Sequence, residues 1–371
     1  MPERVLITGG AGFIGSHLAR RLLTDGCDVR VLDNLTPQVH GSARRPSYLD
    51  ADVELIVGDV RDDRAVSQAL EGADVVVHFA ARVGVGQSMY EIADYTAVNA
   101  HGTAMLLQNL IDTPVRKLLV ASSMSIYGEG LYRGAGDEIV ENAERSREQL
   151  QSAFWEPQAA DGSPLVAVST PEWKQPSLAS MYALGKFDQE QMCLMFGAAY
   201  DIPTVALRFF NVYGTDQALS NPYTGVLAIF ASRLLNDRPP LIFEDGHQRR
   251  DFVSVHDVVQ ACTLAMQRAG ANGRALNVGS GMSVSVREVA QRLAAVLNKE
   301  HIEPAVTGKY RVGDVRHCFA DISLAADTLG FAPDVDLDDG LAELAEWLEG
   351  QVPHDQVDSA AAELAARGLT L

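Results

Sequence analysis

No apolar run in this sequence is long enough to cross a bilayer, and its first residues carry no secretory signal pattern. A membrane partner is not expected. Cysteine is scarce: Cys27, Cys193, Cys262 and Cys318 form no CxxC pair and join no Cys/His cluster. That excludes a disulfide framework, argues for no metal, and fits a cytoplasmic, reducing location. Positive charge is also short. Against 49 acidic side chains stand 30 basic ones, for a formal net charge of −19. So acidic a chain repels nucleic acid as a main partner, while leaving room for a few arginines focused in a cleft. What the chain has is 47% hydrophobic residues over a length of 371, enough for a large core in two domains or in one domain with an appended lobe.

Up to about residue 120, short β-branched runs alternate with amphipathic ones. Val5–Thr8, Val29–Leu32, Val53–Val57, Val75–Phe79 and Leu118–Ala121 read as strands, and Phe13–Leu23, Arg64–Leu70 and Asn99–Ile111 as helices. Such alternation means βαβ units, hence an α/β fold with a doubly wound parallel sheet. Functional loops should then gather at the carboxyl ends of the strands. Residues 128–180 differ, being rich in Glu, Gln, Ser, Gly and Pro with isolated aromatics. They read as a long excursion with some helix near Glu141–Phe154. It either covers a substrate pocket or elaborates the surface. Helix resumes at Ser180–Tyr200, and Thr204–Arg208 is a further strand. The expected division is 1–210 for the sheet domain including the insert, 211–350 mainly for a smaller lobe, and 351–371 for a tail helix.

Thr8 to Gly15 reads TGGAGFIG, between the first strand and the first helix. Gly9 permits a turn that a β-carbon would block, Gly12 lets a pyrophosphate approach the backbone, and Gly15 lets the helix pack closely. The helix N-terminus offers free N–H groups to phosphates. Asp33 ends the next strand, at the spacing where an acid bonds ribose hydroxyls. Its charge would repel a 2′-phosphate and no arginine follows it, so the expected cofactor is NAD, not NADP.

Tyr182 and Lys186 stand four residues apart, on one face of the helix expected there. A phenol has an unperturbed pKa of about 10, and a nearby ammonium favours its ionised form. Tyr182 could then take a proton from a carbinol while hydride leaves the carbon. Ser122–Ser125 follows a strand's carboxyl end, where a hydroxyl can donate to a substrate oxygen.

TGGAGFIG, Asp33-Asn34, Gly58-Asp59-Val60, His78-Phe79-Ala80-Ala81, Asn99, Ser123-x-x-x-Tyr127-Gly128, Tyr182-x-x-x-Lys186 and Arg208-Phe209-Phe210-Asn211-Val212-Tyr213-Gly214 occur in this order. As an ordered set they resemble the extended short-chain dehydrogenase/reductases of the NAD-dependent nucleotide-sugar epimerase/dehydratase type, over residues 1 to about 350. The resemblance implies a Rossmann-type sheet with a smaller C-terminal substrate-binding lobe. It implies Ser123, Tyr182 and Lys186 as the catalytic group. It implies NAD contacts from Gly9, Gly12, Phe13, Ile14, Gly15, Asp33, Asn34, Asp59, Val60, Phe79, Ala80, Ala81 and Asn99, together with Tyr182 and Lys186. Asn211 matches a residue that holds the substrate diphosphate. Arg250 and Arg311 match cationic contacts to the diphosphate and nucleoside, a task that suits planar guanidinium forks. Ser125 and Asp314 join the substrate side, and Leu241 to Phe243 the nucleobase pocket. A homodimer through helices near Asn99–Ile111 and Ser180–Tyr200 is implied as well.

Two details select within that family. Dehydratases and decarboxylases carry an acid just after the catalytic Ser/Thr. Here Met124 and Ser125 stand there, which favours a 4-epimerase acting on a dTDP- or UDP-hexose. The run Leu219–Val226, Phe243–Gly246 and the long insert are similar to the dTDP-L-rhamnose 4-epimerase branch. Within the class the alternative is a dehydratase or decarboxylase. Outside it the alternative is a non-catalytic NAD-sensing or scaffold protein, against which intact Ser123, Tyr182 and Lys186 argue.

Overall fold

The computed structural model describes residues 2–223 and 225–370. Seven strands form the central sheet: β1 (Arg4–Thr8), β2 (Asp28–Asp33), β3 (Glu54–Val57), β4 (Val75–His78), β5 (Lys117–Ser123), β6 (Thr204–Phe209) and β7 (Arg274–Val278). Their spatial order is β7-β6-β5-β4-β1-β2-β3, and every pair is parallel. Thr8 aligns with Leu32 of β2 and with His78 of β4. The order therefore reverses around β1, and a crevice opens there at the carboxyl edge.

Strand side chains alternate between faces, and helices cover both. Val5, Ile7 and Val31 pack with Leu18, Val258 and Cys262 of the helices Phe13–Thr24 and Val255–Gln267. Leu6, Val76 and Leu118 pack on the other side with Leu106, Cys193 and Phe196 of Gly102–Asp112 and Met181–Tyr200. The segment with Asn99, expected as the start of a plain α-helix, is a π-helical turn over Ala97–His101.

A separate core of Tyr213, Leu227, Phe230, Leu293, Leu341 and Leu348 lies beneath the helices Val226–Leu235, Val286–Val296 and Leu337–Leu348. This is the smaller lobe. The chain does not leave the sheet for good at residue 210, however. Val255–Gln267 and β7 return to it, the strand pairing with β6 and the helix packing into the core on one face of the sheet.

The 128–180 excursion is folded. Leu131–Arg133 pairs antiparallel with Ile139–Val140 and with Val166–Val168, over a small core of Tyr132, Ala143 and Leu165. Its helix is shorter than expected, Arg147–Gln151, capped by Ser146, whose Oγ accepts from Gln149 N at 3.1 Å. The tail helix Val357–Ala366 doubles back on the lobe, where Val312 N donates to Leu369 O at 3.0 Å. Among the described residues no helix is long and apolar enough to cross a membrane, and no cluster of His, Cys, Asp or Glu could hold a metal ion. All four cysteines are free.

Candidate active site

A cavity of about 400 Å³ occupies the crevice at the carboxyl edge of the sheet. Gly9, Gly12, Phe13, Ile14, Gly15, Asp33, Asn34, Val60, Phe79, Ala80, Ala81, Ser123, Tyr182, Lys186 and Asn211 all line it. Residues far apart in sequence are thus brought to one surface. Asp59, Asn99, Ser125, Leu241, Phe243, Arg250, Arg311 and Asp314 do not line it.

The glycine turn is shaped by close approach. Gly9 sits at φ +68°, and a β-carbon there would lie 2.7 Å from Ala80 N. One on Gly15 would lie 2.5 Å from Gly10 Cα, so this glycine fits the helix against the turn itself. Helix Phe13–Thr24 starts at Gly12 with no side-chain cap, and its first N–H groups are left for an outside acceptor. Asp33 is buried at the end of β2, with Oδ2 accepting from Ala11 N (3.1 Å) and Oδ1 from Leu35 N (2.9 Å). A backbone cradle that side chains would fill, an uncapped helix end and a fixed carboxylate on the next strand suit a dinucleotide such as NAD. Asp59 stands behind this wall, where Asn34 Nδ2 donates to it at 3.0 Å. Bonds from Arg61 hold the Asp59 carboxyl down at about 2. Asn99 is also behind the wall. It clamps the Arg82 backbone, accepting from Arg82 N at 2.7 Å and donating to Arg82 O at 3.1 Å.

Ser123 closes β5. Its Oγ accepts from Ser125 N (3.2 Å) and Ser125 Oγ (2.9 Å), so Ser125 acts on Ser123 and not on the cavity. Ser180 caps the helix Met181–Tyr200, its Oγ accepting from Ala183 N at 3.1 Å, which sets Tyr182 in the first turn and Lys186 one turn on. The electrostatics differ from the expectation. Burial pushes the Tyr182 phenol up, and a hydrogen bond shared with Ser123 opposes it only in part. Burial also brings the Lys186 ammonium down to about 7. Desolvation is the largest influence on both groups, because both are buried at the cavity wall. Met124 and Ser125 form the turn after Ser123, with no carboxylate of their own. The buried Glu190 accepts from Ser122 Oγ at 2.6 Å but is bound twice to Arg208, at 2.9 and 2.7 Å.

The expected substrate residues fall into two sets. Asn211 lines the cavity, and its buried Oδ1 has no partner among the described residues. Apart from Ser125, which sits on Ser123, the rest form a cluster in the lobe. The Arg311 guanidinium lies 5.4 Å from the Phe243 ring centroid and donates to Asp314 at 3.1 Å. Arg250 lies 3.8 Å from Asp314 and donates to Arg316 O at 2.9 Å. Leu241 pairs with Ala305 on a short strand beside them. Asn211 aligns with Phe252, two residues past Arg250, which joins this cluster to the cavity's end.

Sequence reasoning missed two groups. One is Arg82, which lines the cavity, donates to Gln38 (3.1 Å) and Glu91 (2.7 Å), and forms an ion pair with Asp94 at 2.9 Å. The other is a buried ionic network tying the 128–180 excursion to the lobe. Arg145 meets Glu129 at 3.2 Å and Glu244 at 2.7 Å, and Arg316 meets Glu156 at 3.0 Å, Glu244 at 2.8 Å and Asp245 at 2.6 Å. No local pattern signals these pairs, since each partner lies in a different segment.

A family model described as the NAD dependent epimerase/dehydratase family matches residues 5–153 and 158–279. A dTDP-L-rhamnose 4-epimerase of Burkholderia thailandensis is 36% identical over 351 residues, 93% of this chain and 95% of that protein. A UDP-N-acetyl-alpha-D-glucosaminuronate decarboxylase of Bacillus cytotoxicus is 29% identical, covering 94% of this chain and 98% of that one. The crystal structure of a Thermus thermophilus UDP-glucose 4-epimerase complexed with NAD superposes with a TM-score of 0.74 at 30% identity, covering 94% of this chain and 100% of the other.

Proposed function

The chain belongs to the NAD dependent epimerase/dehydratase family, and from that premise we propose that it is a nucleotide-sugar 4-epimerase acting on a dTDP- or UDP-hexose, with dTDP-L-rhamnose the first sugar to try. The observation that carries the reading is the cavity floor. Ser123, Tyr182 and Lys186 share it, while Met124 and Ser125 supply no acid beside Ser123. Bound NAD supplies the acceptor for the C4 hydride and a positive charge that favours the phenolate. Tyr182 takes the proton from the C4 hydroxyl. Ser123 donates to the same oxygen. Lys186 raises the positive potential around the phenol and orients the cofactor ribose. Arg250, Arg311 and Asn211 keep the diphosphate anchored while the 4-keto sugar turns over, and the proton returns from Tyr182 when hydride is delivered to the other face. Support for the choice of sugar comes from the 36% identical dTDP-L-rhamnose 4-epimerase. Free thiols suit a cytoplasmic setting. Exposed Ile111, Leu184, Met195 and Tyr200, on the helices Gly102–Asp112 and Met181–Tyr200, support a homodimer through those helices.

Incubation with dTDP-L-rhamnose, dTDP-glucose, UDP-glucose and UDP-glucuronate in heavy water tests the reaction type. An epimer of unchanged mass, with no deuterium on carbon, is expected from at least one of them. Loss of water, or of carbon dioxide from a uronate, would overturn the epimerase reading and point to a dehydratase or decarboxylase.

A further inference from the structure

Lys186 is held by a residue that the reaction scheme does not use. Gln189, one turn further along the same helix, is fully buried. Lys186 Nζ donates to Gln189 Oε1 at 2.7 Å. Gln189 Nε2 donates to Ala80 O at 3.1 Å and Thr103 Oγ1 at 3.0 Å, and lies 3.1 Å from His78 Nε2. An ammonium only donates and a peptide carbonyl only accepts, so the amide fits one way round. His78 and Thr103 are themselves fixed: His78 Nδ1 lies 2.7 Å from Thr8 Oγ1, and Thr103 donates to Asn99 O at 2.6 Å. The amide takes one of the three N–H groups that a lysine ammonium carries and leaves the others for the cavity. It also joins Lys186 to Ala80, whose loop forms the cavity wall.

We propose that Gln189 is the positioning residue for Lys186: its clamped carbonyl fixes where the ammonium reaches and stabilises it as a cation without adding a countercharge. A carboxylate in the same place would hold the ammonium more strongly but cancel the positive potential that Tyr182 needs. The charged and titratable groups facing Lys186 are Tyr182, Glu190 and Cys193 on its own helix and His78 from β4, and Glu190 is already neutralised by Arg208 of β6. None of these replaces the amide as an acceptor. The inference rests on the reading of Tyr182 and Lys186 given above.

Two variants of the full chain test it, Gln189→Met and Gln189→Glu. Gln189→Met removes the acceptor at nearly constant volume. At pH 7 its kcat should fall about tenfold or more, the scale of one hydrogen bond to a charged group, with KM for the nucleotide sugar within about threefold. The alkaline limb of kcat should move to lower pH, because the ammonium is less favoured. NAD affinity by calorimetric titration should weaken severalfold. Gln189→Glu should move the alkaline limb the opposite way while also lowering kcat. A merely structural residue would shift the melting temperature without moving the limb in opposite directions. Unmoved limbs, or limbs moving the same way, overturn the proposal. If Gln189→Met fails to fold, the upward shift in Gln189→Glu remains decisive. Tyr182→Phe separates the two readings: if it stays active the catalytic assignment falls, and if it is inactive while Gln189→Met is normal only the role of Gln189 falls.

Discussion

The two ends of the proposed site are built from opposite materials. The cofactor end rests on backbone, glycine and many apolar side chains, with the Asp33 carboxylate held by peptide N–H groups. The nucleotide end is charge: Arg145, Arg250, Arg311 and Arg316 stand among Glu129, Glu156, Glu244, Asp245 and Asp314. The first surface is fixed by close packing, since the Ala80 backbone leaves no room for a β-carbon at Gly9. The second is held by the buried cations Arg145 and Arg316, each shared among two or more acids. A cofactor that is regenerated in place gains from a surface that never rearranges. A diphosphate that must enter and leave gains from cations whose positions are set by other groups.

The largest effect should come from breaking the charged end. Arg316→Met leaves Glu156, Glu244 and Asp245 short of a partner and should cost roughly 3–5 kcal/mol, read as a lower midpoint in chemical denaturation. NAD affinity of the surviving folded fraction should stay near that of the parent. If the variant is as stable as the parent, the network is not what holds the excursion to the lobe.

Next comes the shared floor. Tyr182→Phe keeps the ring and removes the only ionisable atom, and kcat should drop by at least about two orders of magnitude with little change in sugar-nucleotide affinity. Near-normal turnover would assign the base elsewhere.

A paired substitution sharpens the cofactor end. Gly9→Ala meets both the left-handed backbone and the Ala80 nitrogen, and should weaken NAD binding by about tenfold or more. Gly26→Ala shares a positive φ of +85° but has nothing within 4 Å. It should cost only about 1 kcal/mol of stability and leave NAD titrations unchanged. Equal effects on NAD from both would show that strain, not approach, is what matters.

The smallest effect has the opposite sign. Burial holds Lys186 at about 7, below its usual 10.5, so the folded state binds its proton less well than the unfolded chain does. That penalty is complete below pH 7 and disappears as pH rises toward 10.5. Lys186→Met should therefore stabilise the fold by about 1–2 kcal/mol at neutral pH, with the advantage shrinking in alkaline melts, while activity is lost. A destabilised variant would mean that Lys186 is retained for packing.

What the sequence determined alone is what short segments decide. Runs such as Val75-Val76-Val77 are apolar on both faces and can only be buried parallel strands, and a G-x-x-G-x-x-G turn between strand and helix has one workable geometry. From these followed the sheet, its active edge and the convergence of Gly9, Asp33, Ser123, Tyr182 and Lys186 on one cavity. The tertiary structure decided everything that depends on partners distant in sequence. It returned β7 to the sheet, where it pairs with β6, a partner distant in sequence that nothing local signals. It placed Arg250, Arg311 and Asp314 in a cluster beside the cavity and not in its wall. It paired Arg145 with Glu244 and Arg316 with Glu156 across the excursion and the lobe. It also reversed the expected bias on Tyr182, since a sequence shows that a lysine is near but not how deeply the phenol is buried, and desolvation is the largest influence on it.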